Sequence, residues 1–357
     1  MYNEMVPKPD FFTERKRFLM KKFISLLLCV LMVMSLAACS KKVEEPKADE
    51  PAAKLKVALC VAGSLGDQGF YDSANDGLQK LVAEYGVIPS VVECKGDASV
   101  FQPSLVNAAM NNDIVIAVGW EFWDGLTEVV PQMPNTKFIY IDNGLQIEGC
   151  NNLLSITYKE NQASFLAGYI AMKLSPNSTV GVIGGEDSDT INNFIVGYKQ
   201  GALYANPEGT VLDPLYANTY EDPAVGKDYA LNLYGKGADV IFQVADLTGM
   251  GVFEAGAEQG KFAIGVDKDQ KYVNPDVIVC SMLKKVGDSI YMAISDFITK
   301  GEFAGGTIWD ADMTTGLVDI GYGDPSMTQQ VSDELKAEVE DLKQKIISGE
   351  IVVDSTR

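Results

Sequence analysis

Residues 55–85 read LKVALCVAGSLGDQGFYDSANDGLQKLVAEY, and this stretch decides the fold class. An apolar run at 56–62 gives way to a loop with glycine at 63, 66 and 69, and then to a stretch at 72–85 whose apolar positions recur three and four residues apart. A short buried run, a glycine turn and a helical period make the strand, loop and helix of a parallel-sheet unit. The glycines fall at GxxGxxG and not GxGxxG spacing, so the loop is no dinucleotide fingerprint. It is a place where backbone approaches a ligand, with helix-terminal amides and the rings of Phe70 and Tyr71 beside Asp67 and Gln68.

The same unit recurs outward from there. Strand-like runs lie at 90–93, 114–119, 137–142, 153–157, 179–184, 209–216, 240–245, 262–266, 277–281 and 316–320, with a last short one at 351–353. Helical patterns fill 101–111, 124–130, 161–173, 191–204, 224–234, 250–259, 287–300 and 332–348. That many strands exceed one ordinary doubly wound sheet. The expected fold is therefore α/β with two doubly wound parallel-sheet lobes, a boundary near 153–159, and a ligand cleft where strand ends face each other.

Composition narrows the function. The chain has 357 residues, 29 Lys and Arg against 49 Asp and Glu, and no histidine. Without imidazole there is no Ser-His-Asp or Cys-His arrangement and no histidine-ligated zinc, so a hydrolase is disfavoured and no metal or cofactor is expected. A net charge of -20 repels phosphate backbones, which excludes nucleic acid as a partner. One dinucleotide pattern competes: Gly249-Met250-Gly251 opens a helix after a strand and Asp267 follows near the ribose-binding spacing. Position 254, where a further glycine belongs, is Glu, which opposes pyrophosphate and leaves a secreted nucleotide-cofactor enzyme a remote alternative.

The N-terminus carries an address. FISLLLCVLMVMSLAA at 23–38 follows Lys21 and Lys22 and ends at Cys39. About 16 residues is too short to span a bilayer and suits a secretory signal. Its end, Leu36-Ala37-Ala38-Cys39, resembles the bacterial lipobox, which makes Cys39 the expected lipidated first residue. Met20 is the expected start, with 1–19 an upstream extension, 20–38 the signal peptide, and 39–54 a charged tether with two prolines. Removing 1–38 takes six basic and three acidic residues and leaves a charge of about -23. Four cysteines then remain, Cys60, Cys94, Cys150 and Cys280, without CxxC spacing, and Cys60 and Cys280 sit in apolar runs as buried hydrophobes.

Candidate binding residues cluster on the loops after strands. Gly119-Trp120-Glu121-Phe122-Trp123-Asp124 joins two tryptophans to two carboxylates, which suits a planar or hydroxylated ligand. Tyr220 in Thr219-Tyr220-Glu221-Asp222-Pro223, Asp246, and Asp267 directly after an apolar run complete the set, Asp267 being placed to accept from adjacent hydroxyls.

These segments resemble, in order, those of the basic membrane protein family of substrate-binding lipoproteins that serve ABC importers. GDQGFYDSA at 66–74 is similar to its D-K-S-F-N-Q-S-A, YKENQASFLAG at 158–168 to F-K-E-N-E-G-S-F-L-A-G, and GVIGG at 181–185 with Gly197-Tyr198 to G-x-I-G-G…G-[FY]. TYEDPAVGK at 219–227 is similar to S-F-D-D-P-A-K-G-K, GVDKDQ at 265–270 to G-V-D-x-D-Q, and IISGEI at 346–351 fits the family's end. The resemblance implies a type I periplasmic-binding-protein fold, two lobes joined by three crossovers and closing on a purine nucleoside. It divides the body into 55–156 plus 286–306 and 157–285 plus 307–353. It also implies a non-catalytic role, a small-molecule ligand, an ABC permease and ATPase as partners, and attachment to the extracytoplasmic face of the cell membrane. By position, Phe70 and Tyr220 sandwich the base, Asp124 addresses it, and Asp267 and Lys284 hold the ribose. Ala62 and Tyr71 stand where the family has Asp and Asn, so riboflavin, sugars and other small solutes remain alternative ligands.

Overall fold

The computed structural model describes residues 54–356; the signal stretch, Cys39 and the tether lie outside them. In chain order the first half runs β1 (Lys56–Val61), α1 (Phe70–Tyr85), β2 (Ile88–Glu93), α2 (Phe101–Asn111), β3 (Ile114–Val118), α3 (Trp123–Val129), β4 (Lys137–Ile141) and β5 (Leu153–Tyr158). It continues through α4 (Glu160–Leu174), β6 (Thr179–Gly184), α5 (Asp189–Ala205), β7 (Thr210–Val211), β8 (Leu215–Tyr216), α6 (Pro223–Gly235), β9 (Val240–Val244), α7 (Met250–Gln259), β10 (Phe262–Asp267) and β11 (Ile278–Lys284). The chain closes with α8 (Val286–Lys300), β12 (Thr307–Ala311), β13 (Val318–Gly321) and α9 (Asp333–Ile347).

Two sheets form, as the alternation demands. The first has the order β2-β1-β3-β4-β5-β12, all parallel, and the second β7-β6-β9-β10-β11-β13, parallel except at β13, with β8 also on β6. Central strands such as VALCV in β1 and IVIAV in β3 are buried throughout, because helices cover both faces of a parallel sheet. Each sheet reverses direction between its first strand and the strand beside it, β1 with β3 and β6 with β9. At such a switch point the loops diverge and leave a crevice beyond the strand ends.

Where sequence reading and structure differ, edges explain it. Residues 307–311, grouped on sequence with the second lobe, pair in the first sheet against β5, and β5 itself runs through Tyr158. As a half-exposed edge strand, TIWDA carries no buried run to announce it. The chain thus passes between the sheets three times, after β5, β11 and β12. The run at 209–216 is split into β7 and β8 around Pro214, which has no amide to give a ladder. No strand forms at 351–353: the tail lies along α4 and α5, where Asn161 Nδ2 donates to the carbonyls of Val353 (3.2 Å) and Asp354 (2.9 Å) and Gln200 Nε2 to that of Val352 (3.1 Å). Cys60, Cys94 and Cys280 are buried, Cys150 is half-buried, and none of the four is in a disulfide. No described helix is long and apolar enough to cross a membrane.

Candidate functional site

The crevice between the two sheets holds a narrow cavity of about 60 Å³, and both lobes line it. The first lobe contributes Phe70 and Tyr71 from the start of α1, Gly119, Trp120 and Glu121 after β3, and Asp142 and Asn143 after β4. From the second come Ile191 and Phe194 of α5, Tyr220, Asp246 after β9, and Asp267 and Lys284 at the ends of β10 and β11.

Local backbone conformation aims these side chains. Asp142, Asp246 and Asp267 each stand at or just beyond a strand end with positive φ, 80°, 45° and 63°. Asp tolerates this region better than most residues, but the conformation is uncommon, and three such turns at three strand ends mark a site built for orientation. Behind them Gln270 Oε1 accepts from the amide of Val266 (2.9 Å) and from Gln243 Nε2 (2.8 Å), and Gln243 Oε1 accepts from the amide of Ala245 (3.1 Å). One buried network therefore fixes the loops carrying Asp246 and Asp267.

Lys284 is the electrostatic centre of one end of the cavity. Only 3% exposed, its Nζ donates to both oxygens of Asp142 (3.0 and 2.9 Å), lies 3.6 Å from Asp267 Oδ1, and stands 4.3 Å from the centroid of the Phe70 ring. Burial pushes the ammonium down, but Asp142 and Asp267 together outweigh it and hold Lys284 above its ordinary value. Asp267, 5% exposed, has its carboxyl pushed up to about 7 by burial, against the pull of Lys284 and with a further push from Asp142 and Asp67. Its Oδ1 makes no hydrogen bond shorter than 3.5 Å and is held by the ion pair with Lys284.

Asp246 and Glu121 occupy the other end with Tyr71, Trp120 and Tyr220, and the same five residues line an adjoining pocket. Burial, then Asp67 and Asp267, push Asp246 well above the usual carboxylate range. Burial pushes Glu121 up to about 7, against a bond from its own amide and with Glu186 and Asp142 adding to the push. The Tyr220 ring is packed on Gly185, where an added Cβ would lie 2.0 Å from Cε1, so only glycine lets the ring stand there. Trp120, 53% exposed, sits at the rim, and its carbonyl accepts from Tyr140 Oη (3.0 Å).

Two expected residues are placed differently. Asp67 lines the adjoining pocket, but its carboxylate accepts from the amides of Gly69 (3.2 Å), Tyr71 (2.7 Å) and Asp72 (3.0 Å), which ties it to the first turn of α1. Asp124 is exposed in the first turn of α3 and does not line the cavity, because the turn after Gly119 directs Glu121 inward instead. Asp142, Asn143, Ile191 and Phe194 line the cavity without having been singled out. Asp142 ends a strand in the way that singled out Asp267 and was findable on that rule; Phe194 carries no sign beyond helical periodicity.

Two facing doubly wound lobes, three crossings and a cavity at paired switch points define the type I periplasmic-binding-protein architecture. The chain belongs to the family described as ABC transporter substrate-binding protein PnrA-like, whose model matches residues 54–357. It is 31% identical over 301 residues to basic membrane protein A1 of Borrelia garinii subsp. bavariensis, covering 84% of this chain and 88% of that one. With basic membrane protein B of Borreliella afzelii it shares 33% identity over 310 residues, covering 84% and 87%. Among solved structures, an ABC transporter solute-binding protein from Aeropyrum pernix K1 superposes with a TM-score of 0.75 at 27% identity, covering 84% of this chain and 94% of that one.

Proposed function

We propose that this substrate-binding protein is a lipid-anchored receptor on the extracytoplasmic face of the cell membrane that captures a purine nucleoside and delivers it to an ABC permease and ATPase. One observation carries the ligand class: aromatic rings from both lobes, Phe70 and Tyr220, line the same cavity as the Asp267–Lys284 pair. A planar base suits the rings, and the hydroxyls of a ribose suit Asp267 with Asn143 and Lys284 near it. Such a protein binds and releases its ligand unchanged.

The test is a calorimetric and thermal-shift comparison of nucleosides, free bases, riboflavin and sugars on the folded body. A nucleoside should raise Tm most and be recovered intact. A sugar or riboflavin response without a nucleoside response removes the ligand assignment, and consumption of the solute removes the binding role. The anchor has its own test. Cys39→Ser in the full precursor should abolish incorporation of labelled fatty acid, and labelling that persists places the lipid elsewhere.

A further inference from the structure

The two ends of the cavity differ in chemistry. At one, Lys284, Asp142 and Asp267 engage each other; at the other, Glu121 stands with Tyr71, Tyr220 and Asp246. We propose that Glu121 is a specificity-determining residue that reads the edge of the ligand's base and selects a guanine-type edge, one that presents two adjacent N–H donors. This rests on the nucleoside reading above.

Glu121 Oε2 is buried without a hydrogen-bond partner in the protein. Its place is preset. Gly119 has φ of 124°, and a Cβ there would stand 2.5 Å from Oε2, so the backbone is cut away to leave the carboxylate room. Tyr140 Oη, bonded to the carbonyl of Trp120, pins the turn that carries Glu121. The charges facing Glu121 are Glu186, Asp142 and Asp246, all acidic, while Lys284 is committed to Asp142 and Asp267. Oε2 is thus left open to a donor from the ligand.

An ionised carboxylate only accepts, through two oxygens side by side. The N1–H and N2–H2 of guanine offer two donors at matching spacing, and such bidentate pairs are strong and directional. Adenine offers the N6 donor beside the N1 lone pair, which sets one oxygen against another acceptor in a buried place. Hypoxanthine keeps N1–H and lacks the amine.

The experiment is titration calorimetry at pH 8, where Glu121 is ionised, with guanosine, inosine, adenosine and 1-methylguanosine. The wild-type protein should bind guanosine about ten- to a hundred-fold tighter than adenosine, the discrimination typical of one bidentate pair. Inosine should fall between them, and 1-methylguanosine should lose most of the guanosine affinity. Glu121→Gln, which offers one donor and one acceptor, should weaken guanosine and strengthen adenosine. Equal affinity of the wild type for guanosine and adenosine, or a Glu121→Gln variant that weakens both by the same factor, overturns the assignment and leaves nucleoside binding intact. Absence of binding by all four overturns the nucleoside reading itself and the assignment with it. Equal wild-type affinity for guanosine and adenosine overturns the assignment even if the variant folds poorly.

Discussion

Lys284 shows how much one residue carries here. Its ammonium pairs with Asp142 and Asp267 in a buried cluster, and removing it leaves those two carboxylates without that cation. Breaking a buried ion pair from one side typically costs about 3 to 5 kcal/mol. Lys284→Met should therefore lower stability by roughly that much in denaturant unfolding, and a change of under about 1 kcal/mol would show that the cluster is already neutral. Glu121 gives the opposite case. Its folded-state value of about 7 lies above its ordinary 4.5, so between those values the native state holds more protons than the unfolded one. Stability from this group consequently falls as pH rises from about 4.5 to 7 and the penalty is complete above that. Glu121→Gln should raise the ligand-free Tm at pH 8 and leave it unchanged near pH 4; equal effects at both pH values would refute the buried-acid account. For the ligand itself, Phe70→Ala and Asp267→Ala should each weaken nucleoside binding by about one to two decades, since a stacked ring or a buried bond to a charged group is worth about 1 to 3 kcal/mol. Circular dichroism should show both variants folded, and an unchanged Kd for either removes that residue from the site.

Elements meet here through glycine. Helices α4 and α5 cross so closely that a Cβ at Gly168, Gly197 or Gly201 would lie 1.9, 2.1 and 1.8 Å from the carbonyl oxygens of Tyr198, Asn161 and Phe165. Backbone cannot yield as a side chain can, so Gly201→Ala must force the helices apart, and overpacking of that kind costs about 1 to 3 kcal/mol. Because α5 also carries Ile191 and Phe194 into the cavity, the same variant should weaken ligand binding along with Tm. Lost stability with unchanged affinity would show that the cavity wall does not follow the helix. The closeness explains the sequence too. α4 is buried on nearly every face, and its apolar period is accordingly blurred.

At the scale of the molecule, the lobes are in contact beside the cavity. Lys268 Nζ reaches Asp76 Oδ2 at 2.6 Å, Gln270 Nε2 donates to the carbonyl of Gln68 at 3.1 Å, and Tyr272 Oη donates to Gln68 Oε1. These bonds are few, the Lys268 pair is partly exposed, and surface pairs contribute at most about 1 kcal/mol each. With only three chain crossings between the sheets, the lobes should open and close as rigid bodies, held shut by the buried Lys284–Asp142 pair that bridges them and by a ligand that touches both. Small-angle scattering should show contraction when a saturating nucleoside is added. Identical dimensions with and without it would mean that the cavity forms before the ligand arrives.

The amino-acid sequence alone determined the two-sheet α/β architecture, since a period of two or 3.6 is a local record of which faces are buried. It determined the family as well, because ordered motifs such as YKENQASFLAG and GVDKDQ survive without any knowledge of contacts. It also marked Phe70, at the start of a helix, and Tyr220, Asp267 and Lys284, on loops or strand ends, and all four line the cavity. Only the tertiary structure decided that Asp67 spends its oxygens on helix amides, that Asp124 faces solvent while Glu121 faces the cavity, and that Asp142 completes the cluster around Lys284. It alone gave the strand at 307–311 to the first sheet. The physical reason is common to all of these. The direction of a side chain at a strand end turns on the φ of one or two residues and on what the opposite lobe brings against it, and neither leaves a periodic mark in the sequence.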